Sequence, residues 1–290
     1  MDRRNFLRGS AAAAGLLTVN PFNVNSIANS GKRMYATDKV TLGNTGIEVS
    51  RMAIGTGTNG WGKNSNQTRQ LGINGLADLL QAGYEQGFYF WDSADQYGTH
   101  PHLKEALKRV PREKVVILTK THATSEKEMN DDLDRFRKEL GTDYLDIVLL
   151  HCMTDSNWPK QKQGAMNILS KARENKIIKA HGVSCHTLGS LKAAAATPWV
   201  QIDLARINPA GASMDADVPT VVSVLKQMKA SGKVIMGMKI FGAGKLSDRV
   251  DECLKYALRQ DYMDCFTIGI ENQKQLLDLQ KRIPEASISV

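Results

Sequence analysis

The chain has 290 residues, 42% of them hydrophobic, a formal net charge of +8 and a mean hydropathy of −0.32. That length suits one large barrel or two small domains, and no apolar run approaches the ~20 residues of a membrane-spanning helix. The basic residues are interleaved with acidic ones, as in Lys127-Glu128 and Arg137-Lys138-Glu139. They read as solvated faces with a modest preference for an anionic ligand such as a phosphate, not as the dense, aromatic-interleaved patch of a nucleic-acid binder. The four cysteines (Cys152, Cys185, Cys253 and Cys265) form no C-x-x-C pair and no disulfide framework.

The chain opens with Arg3-Arg4, then Phe6-Leu7, a small-residue apolar run from Ser10 to Val19, and the small-x-small triplet Ser26-Ile27-Ala28. This order resembles a twin-arginine export signal, which sets residues 1–28 apart from the fold. The resemblance implies export of an already folded protein by the twin-arginine machinery, to the periplasm or another extracytoplasmic space. No stable membrane span is expected after processing. Residues 29–38 are polar and read as a linker, leaving 39–290 as the folded body.

Within that body, Val40-Thr41-Leu42-Gly43 and Ile47-Glu48-Val49 flank Asn44-Thr45-Gly46 and read as a hairpin. Eight short apolar runs come next: 52–55, 88–91, 115–119, 145–150, 177–183, 200–204, 234–238 and 266–268. Segments of helical spacing lie between them. Ile73, Leu76 and Leu80 are placed on one face, as are Met129, Leu133, Phe136 and Leu140. Ser125 and Glu128 form a capping box ahead of the second set. Val221, Leu225 and Met228 line a helix entered through Asp217 and Pro219, and Leu276, Leu279 and Ile283 line the last. Eight strand–helix units of about thirty residues predict an α/β fold, a (β/α)₈ TIM barrel preceded by a short N-terminal β-hairpin. The glycine turn of a doubly wound sheet is matched only loosely by Gly55-Thr56-Gly57-Thr58-Asn59-Gly60.

In such a barrel the strand ends share one mouth. Asp92 closes the second strand and Tyr97 follows it; Lys120 closes the third and His151 the fourth. A tyrosine titrates near 10, and a neighbouring ammonium lowers that value, which makes the proton easier to hand over. Asp92 then keeps Lys120 charged, and His151 donates to a substrate oxygen. The set suits protonation of an oxygen while a hydride arrives at the adjacent carbon.

These residues carry a family resemblance. Gly55-Thr56-Gly57 with Trp61-Gly62, Asp92-Ser93-Ala94-Asp95-Gln96-Tyr97-Gly98, Thr119-Lys120, Leu149-Leu150-His151, Gly182-Val183-Ser184, Gln201 and Gly242-Ala243-Gly244-Lys245-Leu246 together resemble an aldo-keto reductase from residue 40 to the last helix. The resemblance implies carbonyl reduction, or alcohol oxidation, with NADP or NAD on a small substrate. Tyr97 would be the general acid, Lys120 and Asp92 its tuning pair, and His151 the group that orients the carbonyl. Ser184 and Gln201 would hold the nicotinamide carboxamide. The backbone from Phe241 through Gly242 and Gly244 to Leu246 would wrap the pyrophosphate, with Gly269 near the adenosine end. Cys185 stands where the family has Asn, and Met238 where an aromatic usually stacks. Lys239 is open to a phosphate or to a carboxylate. Near Gly269, Lys274 is the only basic residue, and Glu271 would repel a 2′-phosphate if it pointed inward; NADP is the family default and NAD remains open. Two rivals remain: a metal site using His100, His102, His151, Cys152, Cys185 and His186, and a nucleotide-binding barrel without turnover.

Overall fold

The computed structural model describes residues 33–288. The export signal at 1–28 and the first part of the expected linker lie outside the described residues. Residues 33–38 pack on the barrel: Ala36 is buried and its carbonyl accepts from the Met52 amide at 3.0 Å, while the Met34 amide donates to Ser287 Oγ at 3.0 Å.

Two short strands, β1 (Lys39–Thr41) and β2 (Glu48–Ser50), pair antiparallel with Val40 opposite Val49. Eight parallel strands then close a barrel: β3 (Met52–Gly55), β4 (Phe90–Asp92), β5 (Val116–Thr121), β6 (Leu145–Met153), β7 (Ile178–Cys185), β8 (Ile202–Arg206), β9 (Val234–Met238) and β10 (Cys265–Gly269). The strands neighbour one another in chain order, and β10 closes onto β3 with Phe266 beside Met52. Around them run α1 (Asn66–Glu85), α2 (His100–Ala106), α3 (Glu126–Leu140), α4 (Trp158–Gln161), α5 (Gln163–Glu174), α6 (Leu188–Ala196), α7 (Val218–Ala230), α8 (Val250–Leu258) and α9 (Gln273–Ile288). This is the expected (β/α)₈ barrel with its hairpin. No helix among the described residues is long and apolar enough to cross a membrane.

Successive strand residues face opposite sides of the sheet, and that alternation separates two cores. Ala53, Phe90, Leu118, Ile147, Leu149, Ala180, Ile202, Leu204, Val234, Met236 and Cys265 fill the barrel. Their strand neighbours, such as Val148, Leu150, Val183 and Ala205, face the helices. Leu42, Ile47 and Val49 of the hairpin join the inner cluster, so the hairpin stoppers the N-terminal end of the barrel.

The helices follow their apolar faces. In α3, Met129, Leu133, Phe136 and Leu140 are buried, the Ser125–Glu128 capping box is present, and Gly141 closes the helix in a left-handed turn. Truncating any one of these four to alanine is expected to cost about 2–5 kcal/mol. Asp217 caps α7 through the Thr220 amide at 3.0 Å. One face is corrected. Leu76 and Leu80 are buried but Ile73 is 48% exposed; it is the first residue after Gly72, whose φ of 62° breaks α1 into two helical pieces.

Candidate active site

The alternation that fills the barrel also decides what reaches its mouth. Two residues beyond Phe90 stands Asp92; beyond Leu118 come Lys120 and then His122; beyond Leu149 comes His151. Beyond Leu204 comes Arg206, and beyond Cys265 comes Thr267. Each is an inward position one step past the last apolar layer.

Lys120 is the centre of this ring. It is 1% exposed, pairs with Asp92 and donates to the Ser93 carbonyl at 2.7 Å. The second Asp92 oxygen accepts from Thr267 Oγ1 at 2.9 Å. Thr267 reaches it past β3 because Gly55 has no side chain: a Cβ there would lie 3.0 Å from Thr267 Oγ1 and 2.9 Å from the Ile268 carbonyl oxygen. The Lys120 ammonium sits 4.9 Å from the centroid of the Tyr97 ring. The Tyr97 ring meets His151 edge-on, with centroids 5.7 Å apart and planes at 82°. The loop after β3 closes over the phenol, since a Cβ on Gly57 or Gly60 would lie 2.2 or 2.3 Å from a Tyr97 ring carbon. Tyr97, Lys120, Asp92 and His151 are thus brought together.

Burial lowers the Lys120 pKa, but Asp92 and Tyr97 outweigh it and hold the amine above its ordinary value, so it stays charged. Tyr97 corrects one expectation. Burial raises its pKa and exceeds the opposing pull of Lys120, so the net shift is upward and the phenol is protonated through the neutral range. Burial, followed by the Lys120 charge, pushes His151 well below the ordinary histidine value, leaving a neutral imidazole whose buried Nδ1 has no protein partner.

His122 is a member of this site that the sequence reading misses. Its ring stacks on His151 at 4.9 Å and its Nε2 meets Gln96 Oε1 at 2.8 Å. The signal is present in the sequence, because His122 lies two residues past Lys120 and so on the same side of β5. On the next wall, β6 bulges between Leu150 and Met153, with Cys152 at φ 61°. The Ser184 hydroxyl accepts from the Cys152 amide at 2.9 Å, and Cys152 Sγ lies 3.0 Å from His186 Nδ1.

The residues expected to hold a nucleotide divide. Ser184 closes the inner face of β7 at the mouth. Lys239 follows β9, and Phe241 to Leu246 form a tight turn beside it, with Gly242, Ala243 and Gly244 all at positive φ. Gly242 is fitted to that turn: a Cβ there would lie 2.8 Å from the Ala212 Cβ. Gly269 ends β10 against Thr58, where a Cβ would lie 2.3 Å from the hydroxyl oxygen. Gln201 is not with them. It precedes β8, its side chain accepts from the His181 amide at 3.2 Å, and it borders a cavity with Asn44 and Thr45 at the hairpin end. The inner-face residue of β8 opposite Ser184 is Leu204.

Of the residues of the metal reading, Cys152 and His186 meet, but no third ligand joins them among the described residues. His100 is buried between Glu139 (Nδ1 to Oε2, 2.7 Å) and Thr119 (Nε2 to Oγ1, 2.7 Å), and Cys185 faces the helix layer. Among the described residues the only cluster of three possible ligands is Asp95, His100 and Glu139. The Arg135 guanidinium already binds it, at 2.6 Å from Asp95 Oδ1 and 3.0 Å from Glu139 Oε1. A larger cavity of about 780 Å³ opens beside the hairpin, lined by residues such as Lys39, Glu48, Tyr89 and Lys179. No proton-relay set converges there, and the chemistry belongs to the mouth.

The barrel and its strand-end tetrad define a reductase-like class of protein, and comparison with known proteins agrees. The model of the Aldo/keto reductase family matches residues 51–281, and the chain belongs to that family. It is 28% identical over 128 residues to glycerol 2-dehydrogenase (NADP(+)) of Saccharomyces cerevisiae, covering 43% of this chain and 35% of the relative. Over 171 residues it is 28% identical to the NADH-specific methylglyoxal reductase of Escherichia coli, covering 50% and 51%. The chain therefore spans about a third to a half of the length of these curated relatives. A solved aldo-keto reductase fold from Pseudomonas aeruginosa superposes with a TM-score of 0.73 at 22% identity, over 88% of this chain and 97% of that one.

Proposed function

We propose that the chain is an NAD(P)H-dependent oxidoreductase that reduces an aldehyde or ketone carbonyl, or oxidises the corresponding alcohol, with Tyr97 as general acid. The observation that carries this reading is a protonated phenol held against a buried ammonium and a neutral imidazole at one mouth. The family and its NADP- and NADH-named relatives support it.

The nucleotide fits the residues present. In the left-handed turn at Gly242–Gly244, Gly244 has nothing within 4 Å of a Cβ position and would allow phosphates a close approach, and Ser184 would offer its hydroxyl to a carboxamide. When bound, it supplies a hydride to the carbonyl carbon. The chain's own residues handle the oxygen. His151, neutral, donates its N–H to the carbonyl oxygen and fixes its direction. Tyr97 passes its proton to that oxygen as charge develops there, and the resulting phenolate is stabilised by Lys120, itself held charged by Asp92. The loop bearing Gly57 and Gly60 packs on the half-buried Tyr97 ring and partly shields it from water, which strengthens these interactions.

The N-terminal arginine pair supports export as part of the proposal. A folded, exported enzyme finds little free nicotinamide outside the cytoplasm, so it is expected to hold its nucleotide tightly and regenerate it with a second substrate. Rapid loss of nucleotide on dialysis would count against this. The central test is Tyr97→Phe, with titration of NADH and NADPH followed by fluorescence. Nucleotide binding retained and carbonyl reduction lost is the expected result. A Tyr97→Phe protein that still reduces aldehydes at wild-type rate refutes the assignment.

A further inference from the structure

The imidazole that directs the carbonyl lacks a polar anchor on its buried side. His151 Nδ1 is buried with no hydrogen-bond partner among the described residues, so no protein group holds the ring through that nitrogen. The outer torsion of a histidine side chain is broad and roughly two-fold, and the ring keeps one orientation only where packing imposes it. Two ring contacts do so here. Tyr97 meets His151 edge-on, with centroids 5.7 Å apart, and His122 lies nearly parallel to it at 4.9 Å with planes 25° apart. Tyr97 gives up its proton during the reaction, so His122 is the wall whose chemistry stays constant.

His122 is itself held at both ends. Its carbonyl accepts from Lys162 Nζ at 2.6 Å, and the same ammonium donates to the Ala123 carbonyl at 3.2 Å and to Thr124 Oγ1 at 2.8 Å, which pins the turn after β5 to the head of α5. At the other end, the Gln96 amide nitrogen points to the Gly60 carbonyl, 3.5 Å away, so its oxygen faces the imidazole and accepts from His122 Nε2 at 2.8 Å. Gln96 precedes Tyr97, and Gly60 belongs to the loop on the Tyr97 ring, so one chain of contacts joins the general acid's surroundings to His151. The His122 side chain is exposed at the mouth, and the apolar cores do not include it. We propose that His122 is a positioning residue: its ring, stacked on His151, holds that imidazole at the angle from which its N–H meets the carbonyl oxygen. The proposal rests on the reductase reading above and adds a residue to its site.

The test compares His122→Ala, His122→Phe and His122→Gln in the full chain, with butanal as the carbonyl compound. Alanine removes both the ring and the hydrogen bond, phenylalanine keeps the ring alone, and glutamine keeps a polar group without the ring. His122→Ala is expected to lower kcat about tenfold, the upper end of what an aromatic pair is worth. The aldehyde KM should change less, and nucleotide affinity should not change. His122→Phe should recover most of the rate, and His122→Gln should behave as alanine does. In a His151→Ala background, His122→Ala should cost almost nothing more, because both changes act on one hydrogen bond. A wild-type kcat in His122→Ala, or a fully additive double variant, overturns the proposal. So does a rate kept by glutamine and lost by phenylalanine, which would give the role to the Gln96 bond. Nitrogen-15 histidine spectra of the nucleotide-free chain test the stacking apart from turnover. One sharp set of His151 signals, identified by its loss in His151→Ala, is expected in the wild type and in His122→Phe, with broadening or doubling in His122→Ala. A set that His122→Ala leaves unchanged refutes the stacking role. If no protein, wild type included, reduces the aldehyde, the reductase reading fails, and these spectra still decide whether His122 holds the ring. Should the alanine variant fail to fold, His122→Gln supplies the ring-free comparison.

Discussion

Gly57 gives the most direct test of how Tyr97 is held. A Cβ at this position would lie 2.2, 2.4 and 2.5 Å from three carbons of the Tyr97 ring, whereas ordinary contact begins near 3.4 Å. In Gly57→Ala the ring or the loop must therefore give by more than 1 Å. The ring has little freedom to do so: Gly60 closes one edge, where a Cβ would meet Tyr97 Cδ1 at 2.3 Å, Lys120 sits over its face, and His151 abuts it edge-on. Displacing a reacting group by about 1 Å costs on the order of a hundredfold in rate. Gly57→Ala is expected to lose about that much kcat while keeping its nucleotide affinity. Steady-state carbonyl reduction measures the loss, with a thermal melt to confirm the fold. The decisive comparison is the double variant. In a Tyr97→Phe background the alanine should cost almost nothing more, because both changes act on the same proton. A Gly57→Ala enzyme within threefold of wild type, or a fully additive double variant, would refute the wedge.

Three further outcomes are expected from particular contacts. Asp203 is fully buried with neither oxygen hydrogen-bonded, and burial, then Asp215, raises its pKa to about 8. The folded state thus binds a proton that the unfolded state releases near pH 4. Stability is complete below pH 4, falls as pH rises towards 8, and is flat beyond, by several kcal/mol at most. Asp203→Asn should flatten that slope and raise the melting temperature at pH 8 but not at pH 4; an unchanged slope in urea or heat melts would count against it. Thr267→Val strips Asp92 of its second partner, a bond to a charged group worth roughly 1.5–3 kcal/mol. It should lower the alkaline limit of activity set by Tyr97 and Lys120, and an unaltered pH–rate profile would sink that role. Glu271, held by Asn66 Nδ2 at 2.9 Å, lies beside the end of β10. Glu271→Lys should shift the ratio of dissociation constants towards NADPH by about tenfold, and no change would place the adenosine elsewhere.

The barrel is legible because all eight apolar runs begin or end within two or three residues of a strand, and burial on both faces leaves parallel strands continuously apolar. The tetrad is legible for a related reason: a polar residue directly after such a run must lie at the rim. Gln201 shows the limit. Its role comes through the resemblance, yet it sits at the beginning of its run, and β8 extends past the apolar stretch to Arg206. The inner-face count, not the residue type, decides which rim a side chain reaches. Ile73 is exposed although its spacing matches Leu76 and Leu80, because it opens the second helical piece directly after the break at Gly72, which the spacing alone does not show. The direction of the Tyr97 shift is not legible, because the sequence shows the charged partner but not the burial, and here burial is the larger influence.

The hairpin that fills the barrel's lower end has a kinetic consequence. With Leu42, Ile47 and Val49 blocking one side, coenzyme, substrate and product must all use the same rim. A nucleotide laid from the turn at 242–244 to Gly269 takes up part of that rim before a carbonyl compound reaches Tyr97. Turnover should then be compulsory-ordered, nucleotide first on and last off, with the alcohol competing at the aldehyde's own position. If the chain is exported as proposed, that sequence favours one resident coenzyme shuttling between two successive organic partners over repeated exchange with a surrounding pool.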